Sequence, residues 1–281
     1  MTWRISIRHV TGYRYTKEVT SSYNEARITP LSTPRQLCLE ARVEVAPSVR
    51  PRRYWDYWGT CVDAFDLHVP HTELVVTGTS VVETATPERP ERGVGWDTLT
   101  TPHTMDQHAE LLAPTRFTPH DERLAEVASG IRDGARTPSD AALQACSWVG
   151  DQLSYERGST SVHTSGIEAW DAGVGVCQDF AHLSLGLLRS MAIPARYVSG
   201  YLHPFPDAGI GQVISGQSHA WIEWWDGDWR PFDPTNGVFA GERHVIVGRG
   251  RDYHDVTPLK GLFKGGPAEG LGVQVELTRL G

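Results

Sequence analysis

Cys177 lies where a cysteine could act as a nucleophile. It follows Gly173 and Gly175, which permit a tight turn, in the stretch GVGVCQDFAHLSLGLLRSMAI. The apolar pattern after it predicts a largely buried helix that ends before Pro194. A thiol in the first turn of a helix lies near the positive end of the helix dipole, which favours the thiolate. Buried cysteines are common and inert, however, so the helix taken alone favours a structural role.

A histidine and an aspartate lie on two strands predicted further along the chain. His219 opens the strand of SHAWIEWW, Asp233 ends the strand of WRPFD, and the strands meet at Asp226–Asp228. If the turn holds these three residues, Trp225 pairs with Trp229, and His219 and Asp233 share one face about 7–8 Å apart at Cα. A two-residue turn would place them on opposite faces of the sheet.

Thiol, imidazole and carboxylate together form the set that nucleophilic catalysis by cysteine requires. The thiolate attacks, the imidazole transfers protons, and the carboxylate orients the ring. Cys177, His219 and Asp233 each lie at the end of a predicted element. Taken singly, His219 could be a structural histidine and Asp233 a turn residue, so the hypothesis depends on all three meeting.

The N-terminal part of the chain predicts strands only. In WRISIRHV the apolar residues alternate with polar ones, and QLCLEARVEV has the same period of two. CVDAFDLHV and ELVVTGTSVVETA follow after turn signals. We therefore expect an all-β sandwich over residues 1–88. Over residues 89–115 the periodicity is lost, which predicts a linker or crossover.

The remaining residues, 116–281, predict an α+β unit. The stretch TPHDERLAEVASGIRDG is expected to form a helix with Thr118 as its N-cap and Pro119 at its first position. A second helix is expected in TPSDAALQACSWVGDQLSY, and the third begins near Cys177. The second helix presents one apolar face, formed by Ala142, Cys146, Val149 and Leu153.

Composition and charge exclude several classes of function. The chain has 281 residues, of which 40% are hydrophobic and 21% charged, so a sizeable core is expected. A net charge of -8 argues against a general binder of nucleic acid or anionic membranes. The sequence shows neither a signal-peptide core nor a spanning segment, so we expect a cytoplasmic protein. Its four cysteines form no CxxC pair and are expected to be free thiols.

Several motifs resemble the bacterial transglutaminase-like superfamily. The core motifs are GVGVCQDFAH, AIPARYVSGY, SHAWIEWW and WRPFDPTNG, and GRDYHDVTPLKG is similar to the family's C-terminal motif. HVTGYRYTKEVTSSYNEARITPLSTPRQ resembles the β-rich region that commonly precedes this core. The resemblance covers nearly the whole chain. It implies an N-terminal all-β sandwich followed by a papain-like α+β transglutaminase core.

By motif position, the resemblance implies a catalytic triad of Cys177, His219 and Asp233. Members of the family act on amides through a thioester acyl-enzyme, as transglutaminases, peptidases or deamidases. The implied substrate is a peptide or protein amide, at a glutamine side chain or a peptide bond, or a small-molecule amide or amine. No cofactor or metal is expected, and no acidic loop resembles a calcium site. The acyl group could pass to water or to an amine. We favour water, and therefore hydrolysis of peptide or isopeptide bonds over cross-linking.

The donors to the oxyanion are only partly assigned. The backbone N–H of Cys177 is the first expected donor. Trp170 and Tyr155 are aromatic donors upstream of the cysteine, and neither is preferred for the second position. Gln178, which stands where the best-known animal enzymes carry tryptophan, and Trp221 are further candidates for the cleft.

Three alternatives stay open at this point. The fold could serve as a non-catalytic binding or scaffold module, or as an amide-forming acyltransferase on a small molecule. A zinc site from Cys177, His182, His203 and His219 is the third, although its spacing matches no standard ligand pattern. If no zinc site is present, His182 is interpreted as a histidine that packs within its helix core, and Asn236 as a turn residue.

Overall fold

The computed structural model describes residues 2–86, 93–216 and 218–281. The strands are β1 Thr2–Val19, β2 Ser21–Ala26, β3 Gln36–Ala46, β4 Arg52–Trp55, β5 Cys61–Leu67, β6 His71–Ala85, β7 Ser154–Tyr155, β8 Val174–Gly175, β9 Ala195–Leu202, β10 Val213–Gly216, β11 Ser218–Trp225, β12 Trp229–Asp233, β13 Val238–Phe239, β14 His244–Gly250, β15 Leu259–Lys264, β16 Ala268–Gly270 and β17 Gln274–Arg279. The α-helices are α1 Trp96–Leu99, α2 Pro102–Gln107, α3 Ala109–Leu112, α4 Glu122–Gly134, α5 Pro138–Gln152, α6 Gly166–Ala172 and α7 Cys177–Ser190, and a 3-10 turn covers Tyr253–Val256.

The N-terminal strands form a β-sandwich, as the alternation predicts, but strands from the second half of the chain also belong to it. One sheet has the order β10-β17-β1-β6-β3, with β16 also paired to β1, and the other has the order β15-β2-β5-β4. Apolar side chains from both sheets, among them Tyr15, Phe65 and Val76, form the core between them. Near the start of β1, Trp3, Ile5 and Ile7 are buried against residues of β9 and β14. The long first strand therefore contributes both to the sandwich and to its contact with the rest of the molecule.

The edge strand β3 departs from the predicted alternation. Leu37 and Leu39, expected on the buried face, have exposed fractions of 52% and 43%. Among the described strands β3 pairs with β6 alone, and its register shifts between Cys38 and Glu40. A bulge at this point changes which side chains face the core, because side-chain direction alternates with every residue.

The crossover contains short helices in its described part. The predicted boundary at residue 88 lies outside the described residues, and α1 to α3 follow between residues 96 and 112. The prediction that Thr118 caps the next helix is wrong, because α4 begins at Glu122 with Asp121 as its N-cap. The Asp121 carboxylate accepts a hydrogen bond from the Leu124 N–H at 3.1 Å, and the Thr118 hydroxyl instead accepts one from Arg189 at 2.6 Å.

The second half of the chain is an α+β unit built around α7. Its antiparallel sheet has the order β13-β12-β11-β9-β14. Helix α7 contacts α4, α5 and α6 on one side and β9 and β11 on the other, so its residues are almost all buried. The predicted apolar face of α5 is buried in the same core, which confirms the helical period. Among the described residues, no helix is long and apolar enough to cross a membrane.

Candidate active site

The backbone before α7 fixes the position of Cys177. Helix α6 ends at Gly173, whose φ of 69° lies in the left-handed region that favours glycine. β8 then pairs in parallel with β7, and a Cβ on Gly175 would lie only 2.8 Å from the Asp179 Cβ. The Asp179 carboxylate accepts a hydrogen bond from the Val176 N–H at 2.8 Å and caps the helix that begins at Cys177. The predicted tight turn is thus present, and Cys177 occupies the first helical position.

The hairpin of β11 and β12 has the register that brings the histidine and the aspartate together. Trp225 pairs with Trp229, and Ile222 pairs with Phe232. The turn therefore holds the three residues Asp226–Asp228, and the alternative with two residues is excluded. Continued by one more pair, this register places Asp233 opposite Trp221. Because His219 and Trp221 are two residues apart on β11, His219 and Asp233 lie on one face of the sheet.

His219 is in contact with both other members of the candidate triad. Its Nε2 lies 2.7 Å from Oδ2 of Asp233, and the Cys177 thiol is near enough to interact electrostatically with the same imidazole. Burial lowers the pKa of His219, but the hydrogen bonds and charges of Asp233 and Cys177 outweigh it and raise the pKa to about 10.

The Asp233 carboxylate is fully buried and accepts hydrogen bonds on both oxygens. Oδ1 accepts from the backbone N–H groups of Thr235 and Asn236 at 3.0 and 3.2 Å. Oδ2 accepts from the Asn236 amide at 2.7 Å and lies 3.2 Å from Nε2 of His244. Burial by itself raises the pKa of Asp233, but the hydrogen bonds from His219 and His244 outweigh it and hold the pKa well below its usual value. Asn236 thus forms the predicted turn and also donates its side-chain amide to the carboxylate.

His244 belongs to this cluster, although sequence reasoning missed it. It lies at the start of β14, which reaches the site by pairing with β9. One ligand-type atom from each of His219, Asp233 and His244 lies within 4.8 Å of the others. Hydrogen bonds among the three side chains account for this proximity. The chain offers only a weak signal for His244, since it precedes the C-terminal motif without a recognisable spacing.

The residues proposed for the oxyanion and the cleft occupy different surroundings. Trp170 donates its indole N–H to Gln152 at 3.4 Å and is therefore already engaged. Tyr155 is half exposed and interacts electrostatically with Cys177, and Gln178 is buried beside the cysteine in the first turn. Trp221 is fully buried, with its ring centroids 6.1 Å from His219 and 5.2 Å from His244. Trp221 therefore packs behind the imidazoles.

The residues of the zinc alternative do not form one cluster. His182 is fully buried in α7, where it stacks on Phe117 and accepts a hydrogen bond from the Tyr253 N–H at 3.2 Å. Burial lowers the pKa of His182 to about 3, which fits a neutral packing residue. His203 contacts Trp3 in an edge-on arrangement. Within residues 2–86, 93–216 and 218–281, the side chains that lie close enough together to bind a metal ion are those of His219, Asp233 and His244. This group contains neither His182 nor His203 nor Cys177.

The four cysteines are free thiols and differ in their surroundings. Cys61 and Cys146 are buried, and burial raises the pKa of their thiols to about 11 and about 12. Cys38 and Cys177 are partly exposed, and burial raises the pKa of the Cys38 thiol as well. Within the described part of the chain, Cys177 is the cysteine that interacts electrostatically with His219.

Comparisons with known proteins agree with the architecture. A model of the bacterial transglutaminase-like N-terminal region matches residues 5–83, and a model of the transglutaminase-like superfamily matches residues 125–234. The solved structure of a candidate cysteine protease from Cytophaga hutchinsonii aligns with a TM-score of 0.81 at 22% identity, over 100% of this chain and 92% of that chain. At this identity the likeness shows the fold.

Two relatives from mycobacteria extend the similarity over nearly the full length. The uncharacterized protein ML0607 of Mycobacterium leprae is 50% identical over 278 residues, which cover 99% of each chain. The uncharacterized protein Rv2569c of Mycobacterium tuberculosis is 32% identical over 93% of this chain and 88% of its own length. With both regions matched in the expected order, the chain belongs to the transglutaminase-like superfamily.

Proposed function

We propose that the protein catalyses acyl transfer from an amide through a thioester on Cys177. The observation that carries this proposal is the His219–Asp233 contact of 2.7 Å, together with Cys177, which lies at the start of a buried helix and interacts electrostatically with the same imidazole. Each residue type is suited to its position, since the thiol needs a proton acceptor to become a thiolate and the resulting imidazolium needs a fixed anion.

In the first half-reaction the Cys177 thiolate attacks the amide carbonyl carbon. The carbonyl electron pair moves onto oxygen, and the oxyanion accepts a hydrogen bond from the Cys177 N–H, which as the first residue of α7 has no acceptor within the helix. The His219 imidazolium transfers its proton to the leaving nitrogen as the C–N bond breaks. A thioester and a neutral His219 remain.

In the second half-reaction an acceptor attacks the thioester. The neutral His219 takes a proton from water or from an incoming amine, and the acceptor forms a bond with the carbonyl carbon. The C–S bond then breaks, and the thiolate and imidazolium are restored. Asp233 stays ionised throughout and holds the imidazole in one orientation. The triad supports either acceptor, so exclusion of water from the cleft decides between them, and we propose hydrolysis of peptide or isopeptide bonds.

Incubation of the protein with a panel of glutamine-containing peptides and a labelled primary amine tests this function. We expect products with the mass of water addition or peptide cleavage, and no product with the Cys177→Ala variant. Incorporation of the amine would identify a transferase. If folded wild-type protein gives no product of either kind across a broad panel, the proposal that it acts on peptide amides is wrong. A small-molecule substrate or a scaffold role would then explain the fold better.

A further inference from the structure

We infer that His244 is a positioning residue, which holds the Asp233 carboxylate in the orientation that His219 requires by donating a hydrogen bond as a neutral imidazole. This inference rests on the proposed function, because it assigns a role within the same candidate triad. The family motifs quoted above contain Cys177, His219 and Asp233 but not His244. His244 reaches the site from a different strand.

The hydrogen bonds of His244 define which ring nitrogen carries the proton. The Gly241 N–H donates to Nδ1 at 3.2 Å, so Nδ1 presents a lone pair. The proton of the neutral ring is therefore on Nε2, which lies 3.2 Å from Oδ2 of Asp233. A charged imidazolium would lose the bond from Gly241, and the ring is buried. Both observations favour the neutral donor.

Two separate elements fix the carboxylate. The turn after β12 supplies the backbone N–H groups that bind Oδ1, together with the Asn236 amide at Oδ2. His244 adds a donor from β14, on the far side of β9 and β11 in the sheet order. Rotation of the carboxylate would break contacts to both elements. Asp233 is thereby held with one oxygen directed at Nε2 of His219.

The groups around His244 are consistent with this role. Asp233 and His219 face it from β12 and β11, Trp221 packs edge-on against the ring, and Arg243 is the neighbouring cation in the chain. A second positive charge beside the His219 imidazolium would be repelled at close range. A neutral donor orients the carboxylate without this repulsion.

Matched substitutions at position 244 separate hydrogen bonding from packing. Glutamine can donate to Asp233 and accept from Gly241, whereas methionine fills similar space but has no donor for Asp233 and only a weak acceptor for Gly241. The readout is the rate of alkylation of Cys177 by iodoacetamide at pH 7, followed by mass spectrometry. We expect His244→Met to lower this rate about tenfold, as for loss of a hydrogen bond to a charged group. His244→Gln should stay within about threefold of wild type.

The same comparison contains its own controls. His203 is also buried and bonds to the Phe205 carbonyl at 3.1 Å, so His203→Met measures the cost of losing a buried histidine elsewhere. Thermal unfolding of each variant establishes that it is folded. Equal rates for His244→Met and His244→Gln in folded protein would overturn the positioning role.

A double-mutant cycle with Asp233 completes the test. If His244 acts only through the carboxylate, His244→Met should cause no further loss in an Asp233→Ala background, because coupled residues are not additive. Additive losses would show an independent structural effect and would reject the inference. Failure of the proposed function looks different, since Cys177 would then already react no faster than Cys38 in the wild-type protein.

Discussion

His219 is largely buried, with 10% of its side chain exposed, and yet has a raised pKa. The nearby Asp233 carboxylate and Cys177 thiol outweigh the effect of burial, so the pKa of His219 rises to about 10. A group whose pKa is higher in the folded than in the unfolded state stabilises the fold at low pH and loses this contribution as the pH rises. With an unfolded value of about 6.5 for histidine, the contribution of His219 is complete below that pH and is lost towards pH 10.

This linkage predicts how the stability of the wild-type protein and of His219→Gln depends on pH. The free energy of unfolding of the wild type should fall, relative to the variant, between about pH 6.5 and pH 10. Urea unfolding at several pH values across this range measures the difference. His203→Gln is the control, since burial lowers the pKa of His203 and its difference from wild type should be flat there. Parallel curves for wild type and His219→Gln would contradict the ionised pair.

The candidate triad could be predicted because each member carries a local signal. Cys177 follows a glycine-marked turn, and the hairpin register between Trp225 and Trp229 fixes the face of the two partners. His244 could not be found this way. Its contact with Asp233 depends on the order of strands in the sheet, which leaves no period or spacing in the sequence.

At the scale of elements, α6 and α7 pack closely enough to locate the nucleophile. Gly166, at the start of α6, lies against the backbone of α7, where an added Cβ would be 2.8 Å from the Leu183 nitrogen. A backbone atom cannot yield as a flexible side chain can. The two helices are joined by only a few residues, so their separation also sets the position of Cys177.

Gly166→Ala should therefore destabilise the protein, by about 1–3 kcal/mol as in other overpacked sites, and should slow alkylation of Cys177. Gly150→Ala in α5 is the matched control, because nothing lies within 4 Å of its added Cβ. That change should be neutral or stabilising by up to about 1 kcal/mol, from helix propensity. Thermal unfolding checks both variants, and equal melting temperatures would show that the helices do not need this close contact.

Element boundaries were less predictable than element types. The helix of residues 122–134 was expected in the right stretch, but its cap is Asp121, because Thr118 is bonded to Arg189 from α7. Similarly, the alternation in β3 predicts a buried Leu37, whereas the bulge of this edge strand leaves it exposed. In both places a contact from a distant part of the chain competes with the local signal.

At the scale of the whole molecule, the two ends of the chain form common sheets. β17 pairs with β1, and β15 pairs with β2, so C-terminal strands complete both sheets of the sandwich. The sequence shows these strands but not their partners. Gln36 adds a side-chain link to the sheet that carries His219 and Asp233: its amide accepts from the Ile246 N–H and donates to the Leu31 and Ile246 carbonyls, each at 2.7 Å.

Gln36→Leu should destabilise the protein by about 2–4 kcal/mol, because it leaves buried backbone groups without partners. Because the strands of the chain ends are shared, we expect the wild type to unfold in one cooperative transition. Gln274→Leu, at an exposed position of β17, is the control and should change stability by less than about 0.5 kcal/mol. Calorimetry measures both effects. Two separated transitions would show that the sandwich and the α+β unit built around α7 unfold independently.

The most direct test of an activated nucleophile is the relative reactivity of Cys177 and Cys38 within one molecule. Both thiols are partly exposed, but only Cys177 contacts His219. Limited alkylation at pH 7, mapped by peptide mass spectrometry, should modify Cys177 at least about tenfold faster than Cys38, and this advantage should disappear in a folded His219→Ala variant. Equal rates for the two cysteines in the wild type, or an advantage that survives the loss of His219, would contradict an activated nucleophile at Cys177.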